Sequence, residues 1–389
     1  MDPVTHTLTG AALSRAGLNR TTPLATATLV IAANAPDIDI IAMARGSYAA
    51  LALRRGLTHG PAALLLLPVI ITAAVLLYDR LWRQRKQADV SPARALPLLA
   101  LALIGVATHP LLDWMNTYGI RLLSPFSERW YYGDSLFIID PWVWLILAAP
   151  LVAIYSASRR AQVLWIVLAI AATILVMMAP QVPLVARVLW VIAVGIVAGS
   201  AVLGRRRAAT AGSLAGGAAA RARPDAARTA YATRPARLAL VAAAAYIALM
   251  VGADAMGRGE ARRAAARAGL DVRQLMVAPA PANPLAADIV VDAGEAYHLG
   301  RLDWTRTPRV TWRDPIPLGE RSATVLATLQ LQEVRDFLRW SRFPYVEVRE
   351  AEDGHMVRFG DARYPGGMRG GLSGVVVHVA SGLRVRSVP

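Results

Sequence analysis

Four short stretches of the chain carry residue types that can hold a metal ion. In residues 103–128 (LIGVATHPLLDWMNTYGIRLLSPFSE), His109 and Asp113 stand four residues apart. On a helix that spacing puts both side chains on one face, about one turn apart. An imidazole nitrogen and a carboxylate oxygen so placed can share one divalent cation. Two further clusters lie upstream, Asn34-Ala35-Pro36-Asp37-Ile38-Asp39 and Arg55-Gly56-Leu57-Thr58-His59, and Asp2-Pro3-Val4-Thr5-His6 opens the sequence. The sequence has no cysteine, which excludes disulfides, thiolate ligands and cysteine nucleophiles. Any bound metal must then be held by His, Asp, Glu or Asn, a donor set that suits Zn, Mn, Fe or Mg.

The chemistry that follows is hydrolytic. A divalent ion held by His and Asp lowers the pKa of bound water toward neutrality and polarises a phosphoryl or acyl oxygen. Three His and three Asp exceed the needs of one tetrahedral zinc, so more than one metal fits the set. Asp39, Arg55 and Asn116 are the candidate catalytic residues beside these ligands. Arg55, next to His59, is suited to an anionic substrate oxygen or to a lipid headgroup. Asn116 and Tyr118 either orient substrate or close the turn before Gly119. Asp134 and Asp140 are candidate supporting carboxylates, although Asp140 before Pro141 also reads as a helix cap. His298, His355 and His378 have no carboxylate at ligand spacing and read as structural.

These clusters need elements to hold them, and the composition is that of a membrane protein. Of 389 residues 56% are hydrophobic, and the mean hydropathy is +0.41. Residues 60–78, 95–112, 136–157, 161–179, 184–203 and 236–253 approach the roughly 20 apolar residues that cross a bilayer. Residues 5–15 and 22–35 are apolar but shorter, and predict an N-terminal helical hairpin. The net charge of +16 is concentrated between the spans. Arg80, Arg83, Arg85, Lys86 and Arg94 follow the first, Arg159-Arg160 punctuate a later junction, and eight arginines lie in 204–237. The last stretch reads as a flexible basic cytoplasmic loop. Such segments mark the cytoplasmic side, and they lack the interleaved aromatics that stack on bases, so no nucleic acid partner is expected. Alternation then puts His59, His109 and Asp113 on the opposite, external face.

Residues 255–389 differ in character. Residues 258–269 are helical in pattern and 275–286 (LMVAPAPANPLA) read as a Pro-rich connection. Short alternating runs at 288–292, 308–313, 345–349, 355–360 and 374–379 predict a small antiparallel sheet, with one helical run at 322–340. Gly366-Gly367 and Gly370-Gly371 read as a turn.

Taken together, DPVTHTLTGAAL, ANAPDIDI, RGLTHG and THPLLDWMNTYGIRLLSPFSERWYYGDSLFIIDP resemble the YdjM-type inner-membrane metal-dependent hydrolases of bacteria. The resemblance is strong over residues 1–150, and the tail looks like that of the longer members. That family is grouped more remotely with zinc-dependent phospholipase C and P1 nuclease enzymes. The resemblance implies hydrolysis of a phosphoester, with His6, Asp37, His59, His109 and Asp113 as metal ligands and Asp39 as a further ligand or a supporting group. The soluble phospholipases supply more histidines than this chain does.

The expected fold is mainly α: a polytopic transmembrane helical bundle over 1–254 with a C-terminal soluble α+β domain over 255–389. The expected activity is a metal-dependent hydrolase, zinc or manganese, acting on a lipid or other envelope phosphoester at the external face of the inner membrane. The alternative is a non-enzymatic envelope protein with a structural metal and a partner-binding C-terminal domain. A transporter using Asp37, Asp39 and His109 is weaker, since no internal repeat is evident.

Overall fold

The chain opens with two short helices, and each starts or ends for an identifiable reason. Asp2 caps α1 (Pro3–Arg15), its carboxylate accepting from the backbone N–H groups of Val4 and Thr5, with Pro3 at the first helical position. α2 (Ala25–Asn34) packs along α1. A β-carbon on Gly10 of α1 would lie 2.8 Å from the Leu29 carbonyl oxygen, so only glycine permits the approach. The predicted N-terminal hairpin is therefore present. The Ala-Pro-Asp-Ile-Asp stretch does not simply end α2: it continues as a 3-10 run over Ala35–Arg45, and Ala25–Arg45 reaches 21 residues.

The computed structural model describes residues 1–87, 89–156, 158–179, 182–214, 224–365, 374–380 and 384–387, with side chains described for all but 204–214, 224–232 and 387. Six helical stretches among them are long and apolar enough to cross a bilayer: Ala25–Arg45, Pro61–Lys86, Ala95–Trp114, Arg159–Met178, Leu184–Leu203 and Thr233–Arg267. The protein is a multi-pass membrane protein. The stretch expected to span at 136–157 is the shorter α7 (Pro141–Tyr155), because Asp140 caps its start and the chain turns into Ser158, the cap of α8 (Arg159–Met178).

Two compact units divide the chain. The first contains Met1–Pro36, His59–Gly252 and Ala280–Pro284. Its centre is α6 (Ala95–Trp114), packed on α2 and on α4 (Pro61–Tyr78) through Ala32, Ile71, Val75, Leu98, Ala102 and Val106. Gly105 is the point of closest approach: a β-carbon there would stand 2.6 Å from the Ala32 Cβ. α1 also packs on α7, burying Leu8, Ala12, Val143, Leu147 and Leu151. The short helix α3 (Ser47–Leu53) lies in the second unit, and α5 (Gln84–Lys86) ends the first basic segment. That segment is tied down at buried Asp79, which accepts from the Gln84 side chain at 2.7 Å, from the Ala93 N–H at 2.8 Å and from Arg83.

Residues 204–237 are not a flexible loop where they are described. α9 (Leu184–Leu214) carries the preceding span onward, and α10 (Pro224–Arg267) begins well before the last span. Alanine and arginine are strong helix formers, and their abundance here favours helix over coil. Residues 215–223 lie outside the described residues, as do Gly366-Gly367 and Gly370-Gly371.

The second unit contains Asp37–Thr58, Ala253–Pro279 and Leu285–Pro389. Two antiparallel sheets replace the single sheet expected. One has the order β1 (Gln274–Ala280), β2 (Asn283–Asp292), β3 (Ala296–Asp303) and β4 (Val310–Trp312), with β5 (Ile316–Pro317) also pairing with β3. The other runs β6 (Pro344–Ala351), β7 (Gly354–Asp361), β8 (Val375–Ala380) and β9 (Arg384–Ser387). The Pro-rich stretch at 275–286 is a strand pair rather than a connection. Pro279 is tolerated because β1 is an edge strand, where a missing N–H costs no ladder bond. The helical run at 322–340 is broken into α11 (Ala323–Thr328) and α12 (Gln332–Trp340). Met276, Val290, Tyr297, Phe343 and Tyr345 form one core shared by the two sheets, and α12 packs on α3.

Candidate metal centre

α6 presents His109 and Asp113 on one face, both fully buried. Around Asp113 the first unit gathers the imidazoles of three separate elements. His6 Nε2, from α1, lies 3.3 Å from Asp113 Oδ1. His59 Nε2, from the turn before α4, lies 3.3 Å from Oδ2, and His109 Nε2 lies 3.7 Å from Oδ2. The His6 and His109 rings stack at 3.7 Å, and His59 meets His109 edge-on at 4.9 Å. The amino group of Met1 also donates to Asp113. One ligand atom each from His59, His109 and Asp113 falls within 4.8 Å of the others.

The close α2–α6 approach at Gly105 explains how His109 is oriented. One turn further along α6, His109 Nδ1 lies 2.6 Å from the carbonyl oxygen of Ala33. Ala33 stands in the last turn of α2, where carbonyls have no partner within the helix. A carbonyl can only accept, so Nδ1 carries the proton and the lone pair of neutral His109 sits on Nε2. In a neutral ring Nε2 would face the Asp113 carboxylate as acceptor to acceptor, an arrangement that a shared cation relieves. This carbonyl–histidine pairing is the usual way a metal-ligating imidazole is fixed.

The donor set fits a divalent ion. With bonds of about 2.1 Å, ligands at neighbouring corners of a tetrahedral site stand about 3.4 Å apart. The imidazole–carboxylate separations of 3.3 to 3.7 Å match that spacing. The turn holding His59 is also tightly packed: a β-carbon on Gly60 would come within 2.1 Å of the Ser124 carbonyl oxygen.

The remaining candidates have more local partners. Asp39, buried, accepts from the Arg55 N–H at 2.8 Å, the Thr58 hydroxyl at 3.0 Å and Arg54 Nε at 3.3 Å. Its carboxylate thus ties down the turn that leads into His59. Arg54 also reaches Asp37 at 3.1 Å. Arg55 is buried with a left-handed φ of 55°. Asn116 is buried and its side-chain oxygen accepts from the Tyr118 N–H at 2.9 Å, closing the turn after α6. Tyr118 packs edge-on against Trp130. Asp134 is buried at the end of the same loop with φ 53°. Asp140 caps α7 through Trp142 and Val143 and accepts from the Tyr246 hydroxyl at 3.0 Å, a structural role.

Two contributors carry no signal in the sequence. The Ala33 carbonyl is backbone and could belong to any residue. Trp144 donates its indole N–H to Thr5 Oγ1 at 2.9 Å and Asp2 Oδ2 at 3.2 Å, steadying the first turn of α1, which carries His6. The spacing of Asp2, Thr5 and Trp144 along the chain gives no hint of that contact.

A search of curated proteins gave no match, and neither did a search of solved structures. The family comparison agrees with the four motifs read from the sequence: residues 1–182, which contain every residue of the His/Asp cluster, match the YdjM inner membrane protein family.

Proposed function

We propose that this protein is a membrane-bound metal-dependent hydrolase whose His/Asp cluster holds a divalent ion, zinc or manganese, and acts on a phosphoester of a lipid or another envelope substrate. The observation that carries the reading is the convergence of His6, His59 and His109 on Asp113, with the His109 proton committed to Ala33. When bound, such an ion supplies a Lewis acid and an acidified water. The chain's own residues do the rest. His6, His59, His109, Asp113 and Asp37 hold the ion, and the Ala33 carbonyl keeps His109 Nε2 aimed inward. Asp39 positions the turn before His59. Arg55 and Asn116 are assigned to an anionic substrate oxygen and to its orientation. By the positive-inside rule, the segment at 79–94 lies in the cytoplasm, and α6 leads away from it, which assigns the cluster to the external face.

A second reading has one observation in its favour. His6, His59, His109 and Asp113 are all at most 1% exposed, and a closed site is the mark of a structural metal, which would join α1, the turn before α4 and α6.

The deciding experiment is metal analysis of detergent-purified protein beside His59→Ala/His109→Ala, followed by hydrolysis assays on phosphoester lipids. Near-stoichiometric metal that is lost in the double variant, together with turnover that falls in parallel, supports the hydrolase. Bound metal with no turnover on any phosphoester moves the assignment to the structural site. No metal in either protein after reconstitution overturns both.

A further inference from the structure

Away from the metal cluster, the first unit contains a cavity of about 270 Å³ bounded by α7, α8 and α9. Its wall is almost wholly apolar and includes Trp144, Ala148, Trp165, Ala169, Trp190 and Ala198. The polar groups are at one end: Ser156, just past α7, and Gln162, in the first turn of α8. They bond each other, Gln162 Nε2 donating to the Ser156 carbonyl at 2.9 Å.

That end is also strongly cationic. Arg159 and Arg160 open α8, both exposed, and neither has an ion pair among the described residues. Arg15, at the end of α1, donates to the Tyr155 hydroxyl at 2.7 Å and lies over its ring at 4.5 Å. Arg159 and Arg160 immediately precede Gln162, which lines that end of the cavity. No Asp or Glu occurs between Asp140 and Asp225, leaving no carboxylate on α7, α8 or α9 to neutralise them.

We propose that this is a binding site for one anionic phospholipid, with an acyl chain lodged between α7, α8 and α9 and its phosphate held by Arg159 and Arg160. The shape argues for a chain rather than a compact ligand, because the lining runs the length of α7 from Trp144 to Ser156. Charge complementarity argues for an anionic headgroup, since a zwitterionic one would leave the arginine pair uncompensated at the membrane surface. The site stands independently of the hydrolase reading and uses none of the metal ligands.

The test uses the full chain in detergent and the fluorescence of its tryptophans, three of which line the cavity. Phosphatidylglycerol with brominated acyl chains is titrated against equally brominated phosphatidylcholine. Phosphatidylglycerol should quench at roughly tenfold lower concentration, since each arginine near the headgroup plane favours an anionic lipid. Trp165→Phe should remove a large share of the quenched signal. Arg159→Gln/Arg160→Gln should bring the phosphatidylglycerol curve onto that of phosphatidylcholine. Ala198→Phe, at an exposed lining position, should weaken saturable quenching by both lipids. Equal quenching by the two lipids in the wild-type protein, or an unchanged preference in a well-folded arginine double variant, overturns the proposal.

Discussion

Two fully buried carboxylates, one in each unit, solve the same problem in opposite ways. Asp361, at the end of β7, is met on every side by donors. Arg363 pairs with it at 2.9 Å, the Ser341 hydroxyl donates at 2.6 Å, and the N–H groups of Arg342 and Arg363 donate at 2.7 and 2.9 Å. Burial alone would push its carboxyl up, but the Arg363 guanidinium and these hydrogen bonds outweigh it and pull the value down to about 2. Asp113 is equally buried, but besides the Met1 amino group it faces three imidazole rings. A guanidinium is permanently charged and satisfies a carboxylate without help. Imidazoles are titratable and serve equally as metal ligands. The first cluster is complete as it stands, whereas the second has the composition of a site built around a cation.

The comparison is sharpest if each cluster is broken in turn. Asp361→Ala leaves Arg363 buried without its partner, and should cost about 3–5 kcal/mol. Hydrogen exchange of the full chain should show lost protection over β6 to β8, with metal content unchanged. His109→Ala should do the reverse, emptying the cluster of metal while leaving exchange in the β-strands as in wild type. If both substitutions change both readouts, the two clusters are not independent.

Gly60→Ala is expected to act on the His59 turn through backbone packing alone. The 2.1 Å approach to the Ser124 carbonyl forces a backbone shift, at a cost of about 1–3 kcal/mol, with weaker metal retention on dialysis. Gly195→Ala, with open space around the added carbon, is the control and should change neither.

Acid should separate the units more gently. Because the folded value of Asp361 lies below the ordinary carboxylate value, its contribution is fully present above about pH 4. It is lost as pH falls toward 2, and amounts to about 2 kcal/mol. Acid titration followed by exchange over β6 to β8 should show this loss, and Asp361→Asn should flatten it. An unchanged acid profile in that variant would remove Asp361 as the cause.

The candidate ligands are legible because their chemistry is local. His109 and Asp113 share a helical face by spacing alone, Asp2 and Pro3 announce the start of α1, and the absence of cysteine narrows the donors to His and carboxylates. Five of the six membrane-length helices among the described residues are legible because a bilayer demands long apolar runs; Ala25–Arg45 is not, because Asp37 and Asp39 interrupt its apolar run. The β-strands at 288–292, 345–349 and 355–360 showed in their alternation. β1 did not, because Pro279, with Pro281 and Pro284 close behind it, reads as a connection until an edge position makes Pro279 acceptable.

The sequence by itself therefore determined which groups are candidates for the chemistry and that the chain is a membrane protein, since residue type, spacing and hydropathy are properties of the chain. Only the tertiary structure decided that His6, His59 and His109 meet on one carboxylate. It alone supplied the Ala33 carbonyl that fixes the His109 Nδ1 proton, and it separated Asp361, paired with Arg363, from Asp113, set among imidazoles. Those outcomes depend on Gly10 and Gly105 letting helices approach, and on backbone atoms that are the same in every residue.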